Sequence, residues 1–423
     1  MTKPIIEAKP STRSFLVVAG AALSLFSSVG FLNSFGVFEV YYKANMLQNK
    51  SESDISWLGS VSIFMLYILA PLAGVLVDRI GPKVLLCSGS LGLLVAVFMT
   101  SLCTEYFQFF LSQALLLGLS MSFVTWPPVA VVSRHLPHHR GLALGLVISG
   151  SSLGGLVWPI VLQRLLYHTE LGFNWTMRIV GFIMMPLLAA ACLTIVEAPH
   201  DKSQPSIPDH HEQGQAQEHE ENIRSRKQTD LSIIKQPAFI FLCSGLAIGY
   251  LGLFAPFFYV SSYAVVKGVS PSMSFYLISI LNAASLFGRV FPGILADRWG
   301  HFNFMVVALA TSAIVGFCWT AATSLAGLIV WSLTYGFTSG AVMSLQGACS
   351  GKLASRDTQG TTIGLVTGSI SVTVLVGTPI AGQLVATGGY LALSMFTGAS
   401  LGVGSMIVAL ARIQLDRQLL SAV

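Results

Sequence analysis

The sequence predicts an all-α membrane protein: twelve transmembrane helices in two six-helix bundles. Three observations lead there. Of 423 residues, 53% are hydrophobic and only 10% charged, against roughly 25% charged in soluble domains. Apolar runs that can each cross a bilayer as a helix of about 20 residues recur along the chain. They lack the polar–apolar alternation of a membrane-barrel strand. One long polar stretch then divides the runs six and six, and landmarks of the first set return in the second at a constant offset.

In chain order, a tail over 1–14 precedes the first run, 15–38. That run is longer than the apolar region of a signal peptide and shows no convincing cleavage site, so it is expected to persist in the mature protein. The second run, 56–77, is followed by Gly81, suited to a left-handed turn, and by Pro82, suited to the first turn of the third run, 84–103. The fourth, 106–133, contains Trp126-Pro127-Pro128, a break or kink of the kind common in transporters. The fifth, 140–165, and sixth, 175–197, complete a first bundle over 15–197. Residues 198–237 are rich in Gln, Glu, His, Ser and Pro. Such a composition cannot bury a core and reads as a disordered cytoplasmic linker, with His210, His211 and His219 part of a solvated tether rather than a metal site. Runs at 238–264, 274–296, 302–322, 326–349, 360–386 and 390–412 form a second bundle over 238–412, and 413–423 is a tail.

The net charge is +5. Its basic residues lie between the runs, which argues against nucleic acid and for membrane orientation. Placing both termini in the cytoplasm assigns most of the 23 Lys and Arg to that side. Lys43, Lys50, Arg164, Arg178 and Lys267 fall near the other side, and Arg289 lies within a run. The plasma membrane is the expected location and the bilayer the expected surrounding, with the chain a functional monomer. The six cysteines are scattered and form no CxxC pair, so neither a disulfide framework nor a metal or cofactor site is expected. No P-loop, HExxH or serine-nucleophile elbow is present, which argues against an enzyme. A sensor that binds without transport would need a larger cytoplasmic domain than the linker and tail provide.

The offset is 219 residues, the distance from Asp78 to Asp297. "GVLVDRIG" at 74–81 returns as "GILADRWG" at 293–300. Gly30, Leu32, Phe35 and Phe38 map onto Gly249, Leu251, Phe254 and Phe257, and Gly141 and Gly145 onto Gly360 and Gly364. A single register for three separated landmarks marks an internal repeat. It implies two bundles related by an axis along the membrane normal, with a site between them near the midplane.

Each landmark has its own chemistry. Asp78 can meet a helix N-terminus, and Arg79 a carboxylate or a helix C-terminus. Such contacts can latch one conformation and release in another; otherwise the motif is an ordinary charged loop. In the fifth run Gly141, Gly145, Gly150 and Gly154, and in the eleventh Gly360, Gly364 and Gly368, are spaced for close helix packing. Arg289 has no counterpart in the first half, where the equivalent residue is Ala70. A charge within a span costs several kcal/mol and needs a partner, a water-filled cavity or a substrate. Asn282 and Ser285 share its helix face, and a guanidinium takes a carboxylate with two parallel hydrogen bonds. A small organic anion is therefore the expected partner; the alternatives are an ion pair, for example with Glu39, or snorkelling to the interface. Asn33, Tyr67, Tyr250 and Tyr335 are further candidates to line the site, although each taken alone reads more readily as a helix–helix hydrogen bond. Glu39 is the candidate proton carrier.

On Gly74, Asp78, Arg79, Gly81 and Lys83, with a partial copy at Gly293, Asp297, Arg298 and Gly300, the chain resembles the major facilitator superfamily over residues 14–412. That resemblance implies rocking of two bundles about a central site, the loop motif holding one state. "NAASLFGRVFPGILAD", "HHRGLALGLVISGSSLGG" and "GFLNSFGVFEVYY" are similar to the eighth, fifth and first helices of monocarboxylate porters, especially fungal ones. This implies transport of a monocarboxylate-like anion, often with a proton, and places the family's eighth-helix arginine at Arg289. Ser285 and Val37 stand where animal members carry an aspartate and a lysine. The fungal branch includes exporters of secondary metabolites, so efflux of an acidic metabolite is the second reading.

Overall fold

The computed structural model describes residues 12–167, 169–197, 232–416 and 418. Most of both tails and of the linker, with His210, His211 and His219, lies outside the described residues. Among the described residues twelve helical rods emerge: α1 (Thr12–Met46), α2 (Glu52–Ile68 and Ala70–Ile80), α3 (Pro82–Thr100), α4 (Tyr106–His135), α5 (Arg140–Tyr167) and α6 (Gly172–Thr194). The second half supplies α7 (Pro237–Val266), α8 (Pro271–Trp299), α9 (His301–Phe317), α10 (Leu325–Leu353), α11 (359–388) and α12 (390–415). Nine helices among the described residues meet the length and hydropathy of a span outright. The rest differ for local reasons. α2 bends by 40° at Leu69, ahead of Pro71, and α9 is short. α11 and α12 run on as one helix except at Gly389, where φ is 67°, a conformation only glycine adopts cheaply.

The repeat is visible in the backbone. α1 breaks at Ser34 and α7 at Phe254, one residue from equivalence. α5 starts at Arg140 and α11 at Gln359, 219 residues apart. Gly81 and Gly300, also equivalent, take φ of 84° and 97° and turn α2 into α3 and α8 into α9.

Each half has its own apolar core. The first runs from Val17 to Ile195 and the second from Ile233 to Ala411. Ala348 and Ile363 of the second half join the first core, while Ile63 and Tyr67 of the first half also pack on the second. Large apolar side chains such as Leu91, Leu193, Ile314 and Met406 are exposed on the outer faces, as lipid contact requires. Some polar groups inside the bundle satisfy one another. Tyr42 and Gln113 lie in two wide π-type turns, Tyr42–Met46 and Phe110–Leu116. The Tyr42 hydroxyl donates to Gln113 Oε1 at 2.8 Å, and Ser62 Oγ to the Gln113 carbonyl at 2.7 Å.

Candidate functional site

The two aspartates of the repeated motif each reach into the opposite half. Asp78, near the end of α2, accepts from the backbone N–H groups of Gly360 (3.0 Å) and Thr361 (2.6 Å) and from Thr361 Oγ1 (2.7 Å), at the start of α11. Asp297, near the end of α8, accepts from the N–H groups of Gly141 (2.6 Å) and Leu142 (2.9 Å), at the start of α5. Gly141 and Gly360 are themselves equivalent, so the two contacts are one contact exchanged between the halves. The physics is that of a helix N-terminus, whose free N–H groups and dipole favour a carboxylate. Each aspartate also has a partner in its own half: Arg134 at the end of α4 donates to Asp78, and His301 Nε2 lies 3.0 Å from Asp297 Oδ1. Arg134 donates in turn to Glu197 at 3.1 Å, and buried Arg140 lies within electrostatic reach of Asp297. Arg79, Lys83 and Arg298 are exposed at the same end.

Glycines make this end close. A side chain on Gly74 would overlap the Gly360 carbonyl, and one on Gly141 the Gly293 carbonyl. Gly145 lies against the Arg289 carbonyl, Gly364 against that of Ala70, and Gly368 against the Pro71 ring. Gly150 and Gly154 behave differently: they meet Ala22, Phe26 and Gly30 of α1, within one half. The glycine pattern therefore divides into contacts between halves, nearer the motif end, and packing inside the first bundle.

Arg289 lies eight residues before Asp297, so about 12 Å deeper along α8. It is 4% exposed. Nη1 donates to the Ile148 carbonyl (2.6 Å) and Ser151 Oγ (2.5 Å) of α5, and Nη2 points at Met343 Sδ of α10 (3.1 Å). Among the described residues Nε has no hydrogen-bond partner, and no carboxylate forms an ion pair with the guanidinium. The pairing with Glu39 considered above is not formed. Thioether sulfur is a weak acceptor, so the Nε–Nη2 edge is under-satisfied at the junction of α5, α8 and α10.

The other candidates distribute around this point. Tyr67 of α2 and Tyr250 of α7 lie within electrostatic reach of the guanidinium. The Tyr250 hydroxyl donates to Gln346 Oε1 (2.6 Å), and Gln346 Nε2 to Thr367 Oγ1 (3.2 Å). Asn33 and Asn282 flank Gly155, and Asn33 Nδ2 donates to the Ser151 carbonyl at 3.4 Å. Asn33 is exposed although it faces this junction, so an accessible cleft lies between the halves beyond Arg289. Ser285 is fully buried against Gly340 with its hydroxyl unpartnered among the described residues. Tyr335 is not brought to the guanidinium: it is fully buried and donates to the Leu253 carbonyl at 2.9 Å, the last of α7 before its break. Glu39 is half-buried in α1, within electrostatic reach of Tyr259.

Sequence reasoning missed Ser151, where α1, α5 and α8 meet, and Arg134 and His301 as partners of the two aspartates. Arg134 carried a usable signal, since a basic residue ending the fourth run lies at the depth of Asp78. Ser151 carried none, because serine in a glycine-rich helix reads as packing.

Two repeated bundles that latch onto each other at one end, with a buried cation between them, define a membrane transporter of the two-bundle class. The model for the Major Facilitator Superfamily matches residues 14–366. The chain belongs to that superfamily. It is 53% identical to an MFS-type transporter of Aspergillus fumigatus over 97% of this chain and 95% of the relative. It is 45% identical to the agnestins efflux protein of Paecilomyces divaricatus, over 97% of this chain and 91% of the relative. With the aspyridones efflux protein of Emericella nidulans it shares 36% identity, over 93% of this chain and 77% of the relative. In fold it matches the crystal structure of the human organic anion transporter MFSD10, with a TM-score of 0.70 at 17% identity, covering 95% of this chain and all of that one. Two of these fungal relatives are named as efflux proteins, and none singles out the monocarboxylate porters.

Proposed function

We propose that this protein is an efflux carrier for a small acidic organic molecule, working by alternating access. One observation carries the reading: a buried guanidinium between the two halves, with no carboxylate partner among the described residues and its Nε–Nη2 edge under-satisfied. A carboxylate can take that edge with two parallel hydrogen bonds. Two relatives, named as efflux proteins for agnestins and aspyridones, support export over uptake. The reciprocal aspartate contacts act as the latch of one state, in which the motif end, read as cytoplasmic from its basic residues, is closed. When the bundles part there, Asp78 keeps Arg134 and Asp297 keeps His301, so neither carboxylate is stranded.

The test is binding and counterflow in reconstituted vesicles, with and without a pH gradient, for a panel of carboxylic acids and their methyl esters. Acids are expected to bind and exchange, esters not. Arg289→Gln, folded by size exclusion and thermal unfolding, is expected to weaken acid binding by about 30-fold or more, since removing one member of a buried charge pair costs about 2–5 kcal/mol. Normal transport by that variant would reject the role.

A further inference from the structure

The aromatic side chains around Arg289 say more about its passenger. Tyr250, Phe254 and Phe257 fall on one face of α7, with successive ring centroids 5.7 Å and 6.1 Å apart. The opposite face packs on α12, where Gly245 and Gly252 meet Val408 and Ser400. Tyr250 places this face toward the cleft, because it lies within electrostatic reach of both Arg289 and Tyr67. From the other half, Tyr67 presents a ring edge-on to Trp126 at 5.7 Å, and the Trp126 Nε1–H is already committed to the Leu66 carbonyl at 2.8 Å. Both walls of the junction therefore carry rings.

These rings are not simply core. Phe257 is partly buried where its repeat equivalent, Phe38, is 1% exposed; Tyr250 and its equivalent Phe31 are both 2% exposed, and Phe254 and Phe35 are both partly buried. Tyr67 and Trp126 on the facing wall are also only partly buried. Aromatic surface left uncovered beside a cation lacking a carboxylate partner suits a ligand bearing a ring and an acid. Ring–ring contacts with offset or edge geometry are favourable beyond the area they bury, which an aliphatic body of the same size does not exploit.

We propose that the passenger is an aromatic carboxylate, its acid on the Nε–Nη2 edge of Arg289 and its ring between Tyr67 and Trp126 on one side and Tyr250, Phe254 and Phe257 on the other. This rests on the carboxylate reading above and narrows it. The experiment compares 2-naphthoate with decalin-2-carboxylate, matched in charge and framework, by equilibrium binding to the full-length carrier, wild type and Arg289→Gln and Phe254→Leu variants. Wild type is expected to bind 2-naphthoate at least tenfold more tightly. Phe254→Leu is expected to reduce that ratio while leaving decalin-2-carboxylate nearly unchanged, and Arg289→Gln to weaken both acids. A wild-type ratio near one, with both acids still dependent on Arg289, overturns the aromatic class and leaves the carboxylate reading standing. Binding of both acids that ignores Arg289→Gln overturns both. The wild-type comparison needs no variant to fold.

Discussion

Replacing Asp297 by asparagine is expected to shift the balance between closed and open motif ends by about 30-fold, by the following reckoning. In the closed form the carboxylate accepts from Gly141 N–H at 2.6 Å and Leu142 N–H at 2.9 Å, both across the interface. Asparagine keeps one acceptor oxygen and turns the other position into an NH₂ facing an N–H. One charge-assisted bond is lost, and with it the attraction of the charge for the start of α5. Hydrogen bonds to charged groups contribute about 1.5–3 kcal/mol and neutral ones about 0.5–1.5, so the loss specific to the closed form is about 2 kcal/mol, and 1.4 kcal/mol is a factor of ten. The His301 contact lies within one half and cancels between states. The assay is a spin-label distance distribution between Lys83→Cys and Lys352→Cys, exposed on opposite halves of this end, in a cysteine-free background. Longer distances should gain population in Asp297→Asn. They should gain at least as much in Asp78→Asn, which loses charge assistance on three cross-interface bonds. The double variant should combine the shifts, so that the effect is read even from a strongly closed start. A distribution unmoved in the double variant would refute the latch.

Three further outcomes follow from the packing. Gly141→Ala is expected to lengthen the same label distance with little change in unfolding temperature, because the added methyl meets the other half at Gly293. Gly150→Ala is expected to do the reverse, destabilising by about 1–3 kcal/mol without moving the labels, because its methyl meets Ala22 inside one bundle. Tyr335→Phe should lower stability by about 1–3 kcal/mol in thermal unfolding, since it strands the buried Leu253 carbonyl, while leaving the affinity for a carboxylate unchanged.

Much of the framework was legible because a repeat constrains two places at once. An Asp followed by an Arg ahead of Gly81 is a weak pattern; its return at Gly300 in the same register pointed to equivalent turns, and the two glycines do share a positive φ. Arg289 stood out because hydrocarbon penalises an isolated charge wherever it falls in a span. The surroundings of that charge were less legible. Helical spacing put Ser285 on its face but could not show that the Ser285 hydroxyl turns to Gly340 while Ser151, on another helix, takes the guanidinium. The seven spaced glycines looked alike, yet Gly141 and Gly150 pack against different halves. Tyr335 and Tyr250 were interchangeable as polar groups in spans until one was found filling the break in α7 and the other beside the cation.

Hydropathy, charge placement and the 219-residue register suffice to specify two related six-helix bundles with a lone cation in one of them, since each is a property of consecutive residues and of the solvent they must meet. Which aspartate reaches which helix start, which glycines lie between the bundles and which donors of Arg289 stay under-satisfied belong to the tertiary structure. Those outcomes depend on groups hundreds of residues apart, whose distances are set only when the two halves pack.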